Sequence, residues 1–170
     1  MKVAIIGGGI VGATCAYYLS KNKDIELTVF DYGVGQATKA SAGIISPWFS
    51  KRRNKPWYKM ARLGADFYLK LVQDLEYDGI DTSFYSQCGV YLLKKDETKL
   101  PELKELAESR MELSPMIGEL KLLSKEDVQK VIPSFDNNGD VLYASGGGRV
   151  EEERFVKTLL EASRAQVFNK

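Results

Sequence analysis

Two short apolar runs, Lys2 to Ile6 and Glu26 to Phe30, flank a stretch whose apolar residues recur at helical spacing, so the chain opens as strand, helix, strand. The helix is expected from about Ile10 to Lys21, with Ile10, Ala13, Ala16 or Tyr17, and Leu19 or Ser20 near one face. Small residues fall where it must approach the sheet. A second periodic stretch runs from Pro56 to Asp78, where Trp57, Met60, Ala61, Gly64, Phe67, Tyr68, Leu71, Val72 and Leu75 recur at three- and four-residue steps. This describes a long amphipathic helix with proline near its start, stopped at Gly79.

The later pattern is of another kind. Ser83 to Tyr85 and Val90 to Leu93 read as strands joined through Gln87, Cys88 and Gly89, and Val141 to Ala144 as a further strand of a second sheet. Between them a helix is expected from about Thr98 to Met111, with Leu103, Leu106 and Ala107 inward. A shorter one follows Ser124, which forms a capping box with Asp127, and Pro133 ends it. The last helix begins near Glu151, where three consecutive glutamates suit a helix N-terminus, and carries Phe155, Val156, Leu159, Leu160 and Ser163 on one side. The turn from Asp78 to Asp81 is the expected boundary between compact units.

The first turn carries the chemistry. Gly7-Gly8-Gly9-Ile10-Val11-Gly12 fits G-x-G-x-x-G between a strand and a helix, and Asp31 follows the second strand 19 residues after Gly12. Gly7 permits the tight turn, Gly9 lets a pyrophosphate approach the backbone, and Gly12 lets helix and strand pack closely. The N–H groups of Ile10 and Val11 face the phosphates at the positive end of the helix dipole, so no lysine or arginine is required. Asp31 accepts hydrogen bonds from the adenosine ribose, and its charge disfavours a 2′-phosphate. Alone, G-x-G-x-x-G is a weak signal. Here a strand before, a helix after, Ala16 and Leu19 on the packing face and an acid at the end of the second strand coincide. The motif does not by itself choose between flavin and nicotinamide.

Composition narrows the field further. With 24 basic and 23 acidic residues the formal charge is +1, which leaves no field to gather nucleic acid or an anionic membrane. The run from Val3 to Ala16 is broken by four glycines and is too short to span a bilayer, and no cleavage site suggests export. The chain has no histidine and only two cysteines, Cys15 and Cys88, so zinc sites and histidine triads lack material. The cysteines are expected to be reduced and packed, in keeping with a cytoplasmic location. The basic run from Lys51 to Lys55, including Arg53, beside Trp48, Phe49 and Trp57, is read as a solvated loop, with a lid over the substrate entrance as the alternative.

The run Gly35-Gln36-Ala37-Thr38-Lys39-Ala40-Ser41-Ala42-Gly43-Ile44-Ile45-Ser46 resembles the second FAD-contacting segment of the glycine oxidase, D-amino-acid oxidase and sarcosine oxidase family. Small residues there bring backbone N–H groups near a cofactor, while Thr38 and Ser41 offer hydroxyls. The resemblance implies FAD contacts at Ile10, Val11, Asp31, Tyr32, Ala37, Thr38, Ala42, Gly43 and Ile44, beside Gly7, Gly9 and Gly12 of the loop. It also implies an α/β fold: a Rossmann-like FAD-binding domain with an incomplete parallel sheet over residues 1–80, part of a second α+β substrate domain over 81–148, and a helix over 149–170 that returns to the first. A later FAD contact, the rest of the sheet and the family's carboxylate-binding arginine are expected beyond Lys170, so no catalytic residue is assigned. The leading expectation is the N-terminal part of a flavoenzyme that oxidises a small amine or amino acid by hydride transfer to flavin. The alternatives are a non-catalytic fragment that forms a homo-oligomer or joins a complementary chain through an exposed sheet edge, and an NAD-dependent dehydrogenase.

Overall fold

A computed structural model describes residues 1–35, 37–52, 54–136 and 139–168, with side chains described to residue 164. Gln36 and Arg53, which figured in the turn-rich segment and the basic run, lie outside the described residues. The elements in chain order are β1 (Lys2–Ile6), α1 (Ile10–Ser20), β2 (Glu26–Phe30), β3 (Ile44–Ile45), α2 (Lys55–Tyr77), β4 (Tyr85–Ser86), β5 (Val90–Leu92), α3 (Leu100–Glu108), β6 (Leu120–Leu123), α4 (Lys125–Val131), β7 (Val141–Ala144), β8 (Gly148–Val150) and α5 (Glu152–Phe168). The chain divides into two compact units. One comprises Met1–Gly43, Asp74–Tyr85 and Val150–Lys170, the other Ile44–Gln73 and Ser86–Arg149.

In the first unit β1 and β2 pair in parallel, from Lys2 opposite Glu26 to Ile6 opposite Phe30. Their side chains alternate: Val3, Ile5, Leu27 and Val29 are half-buried, while Ala4, Ile6, Thr28 and Phe30 are exposed. The crossover helix α1 buries Ala13, Ala16, Tyr17 and Ser20 and packs against α5. That helix contributes Phe155, Val156, Leu159, Ala162 and Ser163 to the core. Two alanines at the crossing permit a close approach, and burying Phe155 and Leu159 stabilises the packing by roughly 1.5–3 kcal/mol each.

A polar cluster fixes the far end of α1. The Tyr17 hydroxyl donates to Asp78 at 2.7 Å, the Tyr18 hydroxyl donates to Asp74 at 2.6 Å, and the Lys21 ammonium stands 2.7 Å from the same Asp78 oxygen. Burial, then the bonds to these carboxylates, raises both phenols far above the ordinary tyrosine range. Nearby, the Phe84 and Phe155 rings stack at 4.7 Å, and the Glu151 amide donates to the Phe84 carbonyl at 2.8 Å.

In the second unit β7 lies between β5 and β6, antiparallel to both, with Tyr91 and Lys121 opposite Tyr143. In another sheet β3 pairs antiparallel with β8, Ile44 opposite Arg149 and Ile45 opposite Gly148. Leu100, Leu103 and Ala107 of α3 are buried, as is Trp48 in a 3₁₀ turn over Pro47–Phe49. The Arg110 guanidinium lies over the Tyr58 ring at 4.0 Å and donates to the carbonyls of Trp48 and Ser50. Lys51 pairs with Glu102 at 2.7 Å. The helix expected over Thr98–Met111 is shorter, because a 3₁₀ turn at Glu97–Lys99 precedes Pro101. The Ser124 cap holds, its hydroxyl accepting from the Asp127 amide. Among the described residues no helix is long and apolar enough to cross a membrane.

One expectation about the thiols fails. Cys15 and Cys88 are both free and exposed rather than packed. Cys15 points away from the α1–α5 contact because the buried face of α1 is formed by residues 13, 16, 17 and 20.

Candidate nucleotide-binding site

The end of β1, the glycine turn and α1 form one side of a groove of about 670 Å³, and Asp31, Val34, Gly35, Ala37 and Thr38 form the other. Eight residues singled out in the sequence line it: Gly7, Gly9, Ile10, Val11, Gly12, Asp31, Ala37 and Thr38. Tyr32, Ala42, Gly43 and Ile44 do not. Tyr32 is exposed beyond β2, Ala42 is exposed, Gly43 is buried, and Ile44 begins β3. Leu19, expected on the packing face, lines the groove with Val11 and Cys15 on successive turns of α1.

The local chain explains the loop. Gly7 adopts φ +99°, closed to most L side chains, and its amide donates to the Phe30 carbonyl at 2.7 Å, which ties the turn to β2. At Gly12 a Cβ would stand 1.8 Å from the Gly7 carbonyl oxygen, so the close approach of helix and strand demands glycine there. Gly9 differs. A Cβ at that position would meet only the Thr38 hydroxyl oxygen, at 3.5 Å, an ordinary contact. The chain itself therefore leaves room over Gly9, as a site for a diphosphate requires.

Asp31 is held from two directions. One carboxylate oxygen accepts from the Gly8 amide at 2.5 Å and the other from the Gly33 amide at 2.7 Å. Gly8 was not singled out in the sequence; the middle position of the loop carries no fixed requirement in the motif, and its role depends on where Asp31 folds back.

The N-terminus of α1 also departs from expectation. Gly9 has no side chain to cap it and no acid occupies the first turn, yet the Ile10 amide is engaged, donating to Thr38 Oγ1 at 3.3 Å. Thr38 thus stands where an anion at this helix terminus would be met, with its own hydroxyl hydrogen available to a phosphate oxygen. The amide of Ile10 and the hydroxyl of Thr38 form one donor site rather than two separate ones.

Glu152, another residue the sequence left unmarked, braces the second segment. The Ser41 hydroxyl lies 2.8 Å from the Thr38 carbonyl and 2.9 Å from a Glu152 carboxylate oxygen. Gly43 sits at φ +61°, where a Cβ would come within 2.1 Å of the Val150 carbonyl. The small residues of this segment therefore answer partly to the chain's own packing.

Comparison with known proteins places this geometry. Residues 2–169 match the model of the DAO family, FAD dependent oxidoreductase. The chain belongs to that family. This decides between flavin and nicotinamide in favour of FAD, the cofactor of the family's members. Among curated DAO-family relatives, the uncharacterized oxidoreductase YurR of Bacillus subtilis is 38% identical over 160 residues, covering 94% of this chain and 43% of YurR. Glycine oxidase of B. subtilis is 27% identical over 148 residues, 85% of this chain and 37% of that enzyme. Among solved structures, iminodiacetate oxidase from Chelativorans sp. BNC1 superposes with a TM-score of 0.89 at 26% identity, over 98% of this chain and 45% of that one. The chain spans less than half the length of these DAO-family relatives.

Proposed function

We propose that this chain forms the FAD-holding part of an oxidase or dehydrogenase acting on a small amine or amino acid. The observation that carries the reading is the α1 N-terminus with the Ile10 amide and Thr38 hydroxyl on one side and the doubly held Asp31 carboxylate on the other. The first suits a diphosphate and the second a ribose, and the open space over Gly9 lets both be reached by one ligand. The Val11 amide, in the same first turn, adds to the field favouring the phosphates. Tyr32, Ala42, Gly43 and Ile44 complete the proposed cofactor contacts.

FAD, when bound, supplies acceptance of a hydride from the substrate carbon next to nitrogen. What the residues of this chain do is hold and orient. Asp31 fixes the adenosine end, and Thr38 with α1 neutralises the diphosphate without a lysine or arginine. The names of similar proteins, glycine oxidase and iminodiacetate oxidase, both denote small amino-carboxylate substrates, which supports an amine or amino acid as the class oxidised. A cytoplasmic location accords with two free thiols.

A specific observation favours a second reading, in which this chain associates with a copy of itself or a complementary chain. Ile6 and Phe30, on one face of the parallel pair, are 81% and 55% exposed, and such a face seeks cover.

The deciding experiment is to incubate the purified chain with FAD, remove free cofactor and record the visible spectrum, then add glycine or another small amine and follow bleaching. Retained flavin absorption supports cofactor binding. Loss of all flavin on desalting, in this chain and in a longer protein containing it, would defeat the proposal. Light scattering on the same sample reports self-association.

A further inference from the structure

The segment Ala37–Gly43 reaches the cofactor groove through Ala37 and Thr38, yet much of its support comes from residues 107 to 114 positions away in sequence. Three contacts tie it to the start of α5. The Val150 amide donates to the Gly43 carbonyl at 2.8 Å. The Ser41 hydroxyl reaches Glu152 at 2.9 Å. Lys39 stands 3.6 Å from Glu153. Beneath Gly43, the Val150 carbonyl and the Glu152 carboxylate oxygen would lie 2.1 and 2.9 Å from any Cβ placed there, so they form the floor on which that residue rests.

Glu152 stands out among these because it serves both ends of the segment. Its carboxylate receives the Ser41 hydroxyl, and the Ser41 amide donates to the carbonyl of Thr38. Thr38 in turn places its hydroxyl against the Ile10 amide. A path of direct hydrogen bonds therefore runs from the first turn of α5, through Ser41 and Thr38, to the first turn of α1. Glu152 also lies in the first turn of its own helix, where the dipole favours a carboxylate and steadies it.

We propose that Glu152 is a positioning residue for the cofactor, holding Ser41 so that Thr38 presents its hydroxyl at the mouth of α1. The proposal rests on the FAD reading of the preceding subsection. Glu152 touches no cofactor atom in this scheme; it acts through Ser41 and Thr38.

The test uses Glu152→Ala, Glu152→Gln, Ser41→Ala and the double variant, each compared with the unaltered chain in two measurements. The first is FAD affinity from quenching of flavin fluorescence. The second, made without FAD, is the rate of tryptic cleavage after Lys39, which lies inside the braced segment. Glu152→Ala is expected to weaken FAD binding about fivefold, the scale of one modest hydrogen bond, and to speed cleavage after Lys39. Glu152→Gln keeps an acceptor for the Ser41 hydroxyl and is expected to restore most of both. Ser41→Ala should match Glu152→Ala, and the double variant should be no worse than either alone.

Unchanged affinity and cleavage in Glu152→Ala would overturn the proposal, as would faster cleavage with unchanged affinity, or additive losses in the double variant. A wild-type chain that retains no FAD counts against the previous subsection instead. Cleavage then decides alone: equal rates overturn the brace, and a faster rate reversed by glutamine sustains it.

Discussion

Asp31 places one carboxylate oxygen 2.5 Å from the amide of Gly8, bridging the ends of the two adjacent parallel strands of the first unit. The contact joins the end of β2 to the loop after β1 and sets the carboxylate at the edge of the groove. Hydrogen bonds to a charged acceptor are stronger than neutral ones, about 1.5–3 kcal/mol. Asp31→Ala should therefore lower FAD affinity by about 10- to 100-fold. Titration of the variant by flavin fluorescence checks this, and affinity within twofold of the parent would contradict it.

Gly12 and Gly64 should respond oppositely to the same substitution. A Cβ at Gly12 collides with the backbone oxygen of Gly7 at 1.8 Å, whereas one at Gly64, inside α2, meets nothing within 4 Å. Gly12→Ala is expected to cost about 1–3 kcal/mol, since backbone cannot step aside as a side chain would. Gly64→Ala is expected to stabilise by about 0.5–1 kcal/mol through helix propensity and a less flexible unfolded chain. Urea unfolding of both variants, read from the midpoints, gives the comparison.

Tyr17 and Tyr18 should remain protonated well above the ordinary tyrosine range. Burial, with Asp78 and Asp74 as hydrogen-bond acceptors, raises both phenols above the ordinary value of 10.0. For a group whose pKa is raised by folding, the stabilisation is complete below the unfolded value and is lost as pH climbs through the folded one. Stability should therefore fall steadily above pH 10.0 and not below it on account of these residues. These two phenols are expected to ionise only as the protein unfolds. Alkaline absorbance titration alongside circular dichroism would show whether the last phenols and the fold are lost together.

Arg110 should govern the environment of Trp48. Its guanidinium bonds the carbonyls of Trp48 and Ser50 and covers Tyr58. Arg110→Met keeps the aliphatic stem and removes the donors, at an expected cost of about 1–3 kcal/mol. The protein has two tryptophans, so Trp57→Phe isolates Trp48, whose emission should move to longer wavelength in the Arg110→Met background. An unchanged spectrum and unchanged unfolding midpoint would remove this role from Arg110.

What the sequence revealed, and what it concealed, follows from the range of the interactions involved. β1, α1 and β2 were legible because β-branched runs, helical spacing and the glycine turn all act within about thirty residues. The Ser124 cap is likewise local. β6 escaped notice because Leu120-Lys121-Leu122-Leu123 has no β-branched residue and suits a helix as well as a strand; it becomes a strand by pairing with β7. β3 and β8 are two and three residues long and exist through each other. At the site, the glycine pattern with Asp31 named six residues of the groove and the family resemblance added Ala37 and Thr38, but Gly8 and Glu152 owe their roles to Asp31 and Ser41, partners 23 and 111 positions distant. Distant pairings of that kind leave no periodic trace in a single chain.

Cys15, between Val11 and Leu19 along the exposed side of α1, gives this protein a built-in chemical reporter. A thiol-reactive dye attached there would sit in the nucleotide groove itself. Its coupling rate, with Cys88→Ser as background, would register occupancy of the groove without relying on any colour of the occupant.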